Sequence, residues 1–452
     1  RILRETWDGY DFAHDLLRAC AYEQVSPPTR WLLHRRLAQG LELLHAADLD
    51  AVSAQLAEQY ARGGRGDRAV GYYRRAAAVA SGRFAHAEAV RLHAEALAIL
   101  ATGPASRARD AAELAVLEAT AAPLNALHGY SSPQLRDTLE RSIALASALG
   151  DRGAMLSALV GLWSSQFVNG DATAAHRTAS RALDLVDAGS ELAGPAHFAL
   201  GGSELSLGRP AEALRHLDRS AEVGGSHPLS VGTRSDVHGR AFAAHAHWLL
   251  GHDDTALATC RDAIDLARST GGSYSLTVAL GYGAITRRLR GDRDALLATV
   301  GELRELCARF DFTYYREWAM VLDGWCRGGA SGIELASRGI DGLAAKAAFA
   351  RMPYWLSLRA DVAARQGRRE AARATLDAAV VGARARSEGW WMPEVLRMLA
   401  AHDDDPDVAV DRLAAATRLA ADQGSVALLR RCLADFAARG IPPPAFAVPR
   451  AG

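Results

Sequence analysis

The segment from residue 208 to residue 220 reads GRPAEALRHLDRS, and its pattern recurs at 170–182 (GDATAAHRTASRA), 251–263 (GHDDTALATCRDA) and 367–379 (GRREAARATLDAA). Each copy opens on a glycine and places a small residue five and twelve positions later. These two positions are two helical turns apart, so both small side chains lie on one face of the helix that follows the glycine. A neighbouring helix can approach that face closely.

Turn glycines recur along the chain with an almost constant period. They stand at positions 170, 208, 251, 291, 328 and 367, with steps of 38, 43, 40, 37 and 39 residues. A helix that ends on glycine, followed by a helix with paired small residues, is typical of the tetratricopeptide repeat, whose period is about 34 residues. The sequence therefore predicts an all-α fold, a right-handed superhelix (α-solenoid) of tetratricopeptide-like helical hairpins with longer helices.

Composition and charge exclude several classes of protein. The 452 residues include 52 Lys+Arg and 52 Asp+Glu, for a formal net charge of zero, and no basic block interrupts this balance. This argues against direct binding of a nucleic-acid backbone by this region. With 49% hydrophobic residues the chain is also unlike a disordered one.

The sequence lacks the usual equipment for bond-making chemistry. Its single lysine, Lys346, follows no glycine-rich loop, so a Walker loop is absent and no cofactor is expected in this region. No Gly-x-Ser-x-Gly elbow is present either. We predict no catalytic residues and a chain that is not an enzyme.

Cysteine usage and hydropathy point to the cytoplasm. The five cysteines are odd in number, widely spaced and mostly inside helical patterns, which predicts buried free thiols in a reducing compartment. No apolar run reaches the roughly 18 residues of a membrane span, and no secretory signal opens the chain. The chain begins with Arg1 and not with Met, in the middle of a sequence pattern, so we expect it to be a piece of a longer polypeptide.

Two stretches near the ends of the chain resemble one family. The first combines Phe12-x-His14-x-x-Leu17-Arg18 and Tyr22 with Ser26-Pro27-Pro28-x-Arg30 and Leu33-His34-Arg35-x-Leu37-Ala38. The second is Trp390-Trp391-x-x-Glu394-Val395-x-Arg397. Both are similar to segments of large signal-transduction ATPases of the STAND type, in which a winged-helix-like junction leads into a tetratricopeptide sensor.

The resemblance implies a domain organisation and a function. Residues 1–45 would end a winged-helix-like junction, residues 46–440 would form the repeat superhelix, and residues 441–452 a proline-rich tail. The family consists of transcriptional regulators with LuxR-type or antibiotic-regulator-type DNA-binding domains, and a few members are cyclase-like. The resemblance therefore implies a sensor arm for an effector or partner protein, with ATP bound on an upstream ATPase module and DNA contacted only by other domains.

Histidines are the first candidates for a binding site. His238 and His245 lie seven residues apart with Phe242 between them, on one face of a predicted helix. No histidine pair has the i, i+4 spacing of a zinc site, so we predict no metal. The alternative to a ligand contact is ordinary packing between helices. The acidic run Asp403-Asp404-Asp405 is interpreted as a solvated turn before a helix.

Aromatic residues supply the second set of candidates. Tyr314, Trp318, Val321 and Trp325 follow steps of four, three and four residues and form one helical stripe. Such a stripe usually belongs to the core, and the alternative is an aromatic groove on the inner surface of the superhelix that binds a planar metabolite or an apolar peptide. The predicted ligand-binding residues are His238, Phe242, His245, Tyr282, Tyr314 and Trp318.

Two rival functions stay open at this point. One is a protein-interaction scaffold without a small-molecule ligand, which a wide, charged groove would favour. The other is the regulatory C-terminal region of a nucleotide-cyclase-like enzyme, whose catalytic site would lie outside these residues.

Overall fold

A computed structural model describes residues 3–6, 9–187, 190, 193–223 and 234–445 of the chain. In this part there are 22 α-helices and two short strands, which confirms the predicted all-α class. The contacts divide the chain into two compact units, Arg1–Pro123 and Leu124–Gly452. The predicted domain limits at residues 45 and 440 stay predictions.

The first unit opens with a β-hairpin. Strands β1 (Leu3–Thr6) and β2 (Gly9–Phe12) pair antiparallel. Five helices and most of a sixth follow: α1 Asp15–Gln24, α2 Pro27–Leu44, α3 Ser53–Arg62, α4 Gly66–Gly82, α5 His86–Thr102 and α6 Arg107–His128. The unit's core is built on α3 to α5, where Leu56 and Tyr60 are buried. The carboxylate of Glu42 accepts hydrogen bonds from the Tyr60 and Tyr72 hydroxyls at 2.7 and 2.5 Å.

The second unit is a succession of antiparallel helix pairs. Its helices are α7 Pro133–Leu149, α8 Arg152–Asn169, α9 Ala172–Asp184, α10 Ala193–Leu207, α11 Pro210–Val223, α12 Ser235–Leu249, α13 Asp253–Ser269, α14 Ser273–Arg290, α15 Arg293–Phe310, α16 Thr313–Arg327, α17 Gly329–Ala345, α18 Met352–Arg365, α19 Arg369–Arg386, α20 Met392–Ala400, α21 Pro406–Asp422 and α22 Val426–Arg439. The even-numbered helices α8 to α20 contact one another in sequence and form an inner layer. Each odd-numbered helix from α9 to α19 packs on the two inner helices beside it.

The turn glycines and the paired small residues act as the sequence predicts. All six turn glycines have positive φ, for example 85° at both Gly208 and Gly251, a conformation that side-chain-bearing residues rarely adopt. The paired small residues are all buried on the helices of the outer layer: Ala175 and Ala182, Ala213 and Ser220, Ala256 and Ala263, and Ala372 and Ala379. The close helix contacts expected of tetratricopeptide-like hairpins are therefore present.

The tightest helix pair is α16 with α17. A Cβ added to Gly324 would lie 2.5 Å from the carbonyl oxygen of Gly332 and 2.8 Å from the backbone nitrogen of Ala336. Because these neighbours are backbone atoms, they cannot move aside without separating the two helices.

We expect Gly324→Ala to lower the free energy of unfolding by about 1–3 kcal/mol, because the added methyl group overpacks this contact. The matched control is Gly382→Ala on α19, where an added Cβ meets nothing within 4 Å. That change should stabilise the chain by about 0.5–1 kcal/mol through helix propensity alone. Urea unfolding of both variants measures the difference, and equal effects at the two sites would contradict the close contact.

Two loops of the second unit reach back to much earlier helices. The Ala350 backbone N–H donates to the Val168 carbonyl at the end of α8 (3.0 Å), and that of Gly389 donates to the Ser206 carbonyl near the end of α10 (2.8 Å). The partners are 182 and 183 residues apart (350−168 and 389−206). The predicted inner surface is thus covered by the chain's own later repeats instead of forming an open groove.

The acidic run before α21 differs in part from its prediction. Asp404 is solvated, and Asp405 is the N-cap, accepting from the Asp407 backbone N–H at 2.8 Å. Asp403 is instead buried and bound by Arg412 at 2.6 and 3.2 Å. The prediction of a solvated turn is wrong for Asp403, because an arginine nine positions later on α21 reaches back over it.

Four of the five cysteines are buried free thiols, as predicted, whereas Cys20 is an exposed free thiol. The sequence also predicts that helices end in turns at Gly189 and at Gly224-Gly225, and these positions lie outside the described residues.

Candidate functional site

The inner layer of the second unit encloses a small pocket walled by aromatic rings, which we call the aromatic pocket. Five inner helices, α8, α10, α12, α14 and α16, build it together with Tyr130, which precedes α7. It is lined by Tyr130, Trp163, Ser164, Phe167, Val168, Phe198, His238, Phe242, Tyr282, Tyr314 and Tyr315. Its volume of about 30 Å³ has room for a water molecule but not for a ring. A ligand would therefore enter only if side chains moved.

Ring contacts hold the wall of the aromatic pocket together. His238 stacks on Phe198 with centroids 5.5 Å apart and planes at 13°. Phe242 lies 4.7 Å from Tyr282, and Phe167 stacks on Phe242 at 5.6 Å. Each such pair contributes about 0.5–1.5 kcal/mol beyond the burial of its area, so these contacts stabilise the closed wall.

The polar groups of the aromatic pocket are uncharged. Burial lowers the pKa of His238 to about 3, so its imidazole is neutral near pH 7. Burial likewise raises the pKa of Tyr130 to about 12 and those of Tyr314 and Tyr315 well above their usual range. The His238 Nε2 lies 3.5 Å from the Tyr315 hydroxyl, a long contact. The pocket thus offers hydroxyl and imidazole groups that donate or accept hydrogen bonds.

The six predicted ligand-binding residues form one contiguous cluster, but they do not all reach the pocket. Four of them, His238, Phe242, Tyr282 and Tyr314, line it. His245 lies behind the wall, with its Nε2 3.1 Å from the Tyr282 carbonyl oxygen, and burial lowers its pKa to about 3. Trp318 also lies behind the wall, 5.1 Å from Tyr282 and fully buried. Whether the cluster binds a ligand stays a prediction.

Two charged residues that the sequence did not single out lie beside this cluster. Arg351 is only 3% exposed, and its guanidinium carbon is 4.9 Å from the ring centroids of Tyr282 and Trp390 and 5.6 Å from that of Phe242. Glu388 is 4% exposed, and its Oε1 accepts hydrogen bonds from the Arg351 backbone N–H (2.9 Å) and the Trp390 indole (2.8 Å). Burial raises the pKa of Glu388 to about 7.

Several buried polar atoms around Arg351 have no hydrogen-bond partner among the described protein atoms. They are Nε and Nη1 of Arg351, Oε2 of Glu388, Nδ1 of His245, Nε1 of Trp318, Nε1 of Trp355 and the hydroxyl of Tyr354. Native proteins leave few buried polar groups unpaired, so a concentration of them in one place indicates a polar site that ordered water or a ligand would complete.

The sequence contains a signal for one pocket residue, Phe198, that is absent from the six predicted ligand-binding residues. Phe198 and Trp318 each precede a turn glycine by ten residues, and Phe242 and Tyr282 each do so by nine (208−198, 328−318, 251−242 and 291−282). Aromatic residues therefore recur at one position of successive inner helices, and this register could have added Phe198. Arg351 and Glu388 lie in loops outside that register, and no pattern marks them.

A second, larger cleft of about 510 Å³ lies at another place in the same unit. It is lined by Trp248, Asp253, Asp254, Leu289, Arg290, Ala427, Arg430 and Arg431. Its charged walls are solvated, since the side chains of Asp254 and Arg430 are 101% and 63% exposed. The aromatic pocket is the better candidate because its surroundings contain buried polar groups without partners.

The described residues contain neither a metal-binding cluster nor a membrane span. Within the described ranges, no group of three or more His, Cys, Asp or Glu side chains is placed to hold a metal ion. No described helix combines the length and apolar character needed to cross a membrane.

Comparisons with known proteins bear on the fold. No protein-family model matches the chain. An uncharacterized protein of Rhizobium meliloti (strain 1021) is 23% identical over 454 residues, which cover 96% of this chain and 44% of the relative. The chain thus spans less than half of that relative's length.

A solved structure shares the architecture. The Rap protein complexed with Competence and Sporulation Factor superposes with a TM-score of 0.54 at 11% identity, over 83% of this chain and 99% of the Rap chain. A STAND protein with a tetratricopeptide repeat sensor from Pyrococcus horikoshii gives a TM-score of 0.37 at 12% identity, over 78% and 57% of the two chains, too low to carry an argument. The fold is that of a tetratricopeptide-like helical-hairpin repeat protein.

Proposed function

We propose that this region is the sensor arm of an ATP-dependent transcriptional regulator. An effector binds in the aromatic pocket and thereby controls ATPase and DNA-binding modules that lie outside these residues. The observation that carries the proposal is the cluster of buried, unpartnered polar atoms beside an aromatic-walled pocket. The Rap structure, which carries Competence and Sporulation Factor on a similar fold, supports it further.

The closed state of the aromatic pocket suits a sensor. At about 30 Å³ it admits no ring unless its wall opens. An effector would therefore bind the open arrangement better than the closed one, and this difference in affinity is what shifts a conformational equilibrium. The loop that precedes α18 would move first, because it covers the end of α8 through the Ala350–Val168 hydrogen bond.

Helices α1 and α2 supply the surface on which an upstream module would pack. They expose several large apolar side chains: Leu16, Tyr22, Trp31, Leu32, Leu33, Leu37, Leu43 and Leu44. Soluble monomers rarely expose so many together, so such a face usually contacts another protein surface. The regulator's own ATPase module fits this place, since the STAND-like motif residues lie on the same two helices. If this region instead regulates a nucleotide-cyclase-like enzyme, the cyclase module would pack on the same surface.

Ligand-dependent stabilisation tests the sensor proposal. We expect at least one of four small probes, indole, tyramine, phenylacetamide or phenylacetate, to raise the thermal midpoint of the 452-residue chain. A ligand at 100 times its dissociation constant adds about 2.7 kcal/mol to the free energy of unfolding. Ser164→Leu, which fills the aromatic pocket from α8, should abolish the shift.

The control places the same substitution on an exposed surface. Ser331→Leu on α17 lies outside the pocket lining and should leave the shift unchanged. A shift that persists in Ser164→Leu, or that none of the four probes produces, would reject the aromatic pocket as the effector site and favour the scaffold reading.

A further inference from the structure

The Arg351 guanidinium is buried among aromatic rings without a matching acid. Its Nε and Nη1, which together carry three N–H donors, have no acceptor among the described protein atoms. Glu388, the buried acid beside it, does not supply one: its Oε1 is occupied by the Arg351 backbone N–H and the Trp390 indole, and its Oε2 is itself unpartnered. The cation and this carboxylate are therefore not paired with each other through these atoms.

Cation–π contacts stabilise such a guanidinium only in part. Three rings lie within 6 Å of its central carbon, those of Tyr282, Trp390 and Phe242. These ring contacts leave the three N–H donors on Nε and Nη1 without hydrogen-bond acceptors in the described part of the chain. A buried charge with unpaired donors is unfavourable, so an acceptor from a bound molecule would complete the site.

The backbone around Arg351 is also held in an uncommon conformation. Arg351 has φ of 61° and Ala347, four residues earlier, has φ of 50°, both in the left-handed region. The loop between them is fixed at Ala347, whose carbonyl accepts from Ser131 Oγ (2.9 Å) and Asn169 Nδ2 (3.2 Å). Unfavourable backbone conformations that the surrounding structure holds in place are concentrated at ligand sites.

We propose that Arg351 binds the carboxylate of a small aromatic acid whose planar ring enters the aromatic pocket. This inference rests on the proposed function and names the chemical class of the effector. Phe242 and Tyr282 belong both to the pocket wall and to the rings around the guanidinium, so the two places adjoin. An acid joined to a ring by a short link would span them once the wall opens. The planar guanidinium matches a carboxylate with two parallel hydrogen bonds.

The neighbouring groups favour this acid over other ligands. The pocket wall offers neutral hydroxyl and imidazole groups, and the pKa of Glu388 near 7 leaves that residue partly protonated at neutral pH, so the charge on the site is positive. A monoanionic carboxylate also loses less hydration on entering a closed site than a phosphate dianion does.

The test compares phenylacetate with phenylacetamide, which has the same shape without the charge. Isothermal titration and thermal unfolding at pH 7 would be measured on the wild-type chain, Arg351→Met and Arg351→Lys. We expect phenylacetate to bind the wild type roughly tenfold to a hundredfold more tightly than the amide, the range expected of charge-assisted hydrogen bonds. Arg351→Met should lose that preference, and Arg351→Lys should retain part of it.

A second readout separates a ligand site from a structural role. Without ligand, Arg351→Met should unfold at the same or a higher temperature than the wild type, because it removes an unpaired buried charge. Arg309→Met is the control: that exposed arginine lies 5.2 Å from the Phe310 ring, and its loss should change neither binding nor the preference for the acid.

Three results would overturn the inference. The first is equal binding of the acid and the amide to the wild type, and the second is an unchanged preference for the acid in Arg351→Met. The third is a crystal structure in which ordered waters accept hydrogen bonds from the guanidinium, combined with a lower unfolding temperature of Arg351→Met. If both probes bind independently of Arg351 but not to Ser164→Leu, the sensor proposal stands and only the acid is rejected. If neither binds, the inference falls, and indole and tyramine still decide the sensor proposal.

Discussion

Glu394→Gln is expected to lower the free energy of unfolding by about 3–5 kcal/mol, the range observed when one partner of a buried ion pair is removed. Glu394 is buried, and its carboxylate accepts from Arg397 at 2.8 and 3.0 Å and from Arg431 at 2.8 Å. Glutamine keeps the shape but removes the charge, so Arg431 loses the carboxylate with which it pairs, whereas Arg397 keeps its ion pair with Asp435 at 2.7 Å. Urea unfolding of the wild type and the variant gives the difference.

The pH dependence of that difference follows from the pKa of Glu394. Burial alone would raise this pKa, but Arg431 and Arg397 outweigh it and hold the pKa at about 2, below its usual value of 4.5. The carboxylate's contribution is therefore complete above pH 4.5 and is lost as the pH falls toward 2. Wild type and variant should converge on acidification.

The exposed ion pair between Glu88 and Arg91 provides the control for Glu394. Its side chains are 47% and 56% exposed. Glu88→Gln should change the free energy of unfolding by about 0–1 kcal/mol. An effect of Glu394→Gln as small as this would show that the network around Glu394 is solvated and not buried.

Trp318→Ala should cost about 3–5 kcal/mol of the free energy of unfolding, because it removes a fully buried ring and leaves a cavity. The indole lies 4.9 Å from Trp355 and 5.1 Å from Tyr282 and Tyr315. The same change would weaken the wall of the aromatic pocket from behind. Thermal and urea unfolding measure the loss, and fluorescence of the remaining tryptophans reports whether the chain still folds.

Two further variants check the reason given for Trp318. Trp318→Phe keeps an aromatic ring in place and should cost less than the alanine variant. Trp31→Ala removes an indole that is 50% exposed on α2 and should change the free energy of unfolding by about 0.5 kcal/mol or less. A small loss in Trp318→Ala would mean that Trp318 is not a packing residue of the inner layer.

The helical hairpins could be predicted because their signals are local. Glycine at the end of a helix and small residues seven positions apart, such as Ala256 and Ala263, follow from backbone conformation and from the spacing of a helix face. Both are read within one repeat of the sequence. The coverage of the inner surface could not be predicted, since hydrogen bonds such as Ala350 to Val168 join repeats that no short-range pattern relates.

The candidate site was predictable to the extent that it lies on helices. His238 and Phe242 follow helical spacing on α12, Tyr282 lies at the matching position of α14, and all three line the pocket. Arg351 and Glu388 lie in turns, where the direction of a side chain depends on loop conformation. The sequence contains 51 arginines, and no pattern indicates which of them are buried. The stripe through Tyr314 and Trp318 was correctly assigned to one helix, but its members differ in whether they reach the pocket.

The hydrogen bonds between residues about 182 positions apart alter how the second unit should come apart. In a simple repeat array each hairpin depends only on its neighbours, and unfolding can spread from either end. Here α8 and α10 depend on the loops before α18 and α20, so fraying from one terminus is resisted by the opposite half. Amide hydrogen exchange should accordingly report one large cooperative block in place of a gradient of protection along the chain.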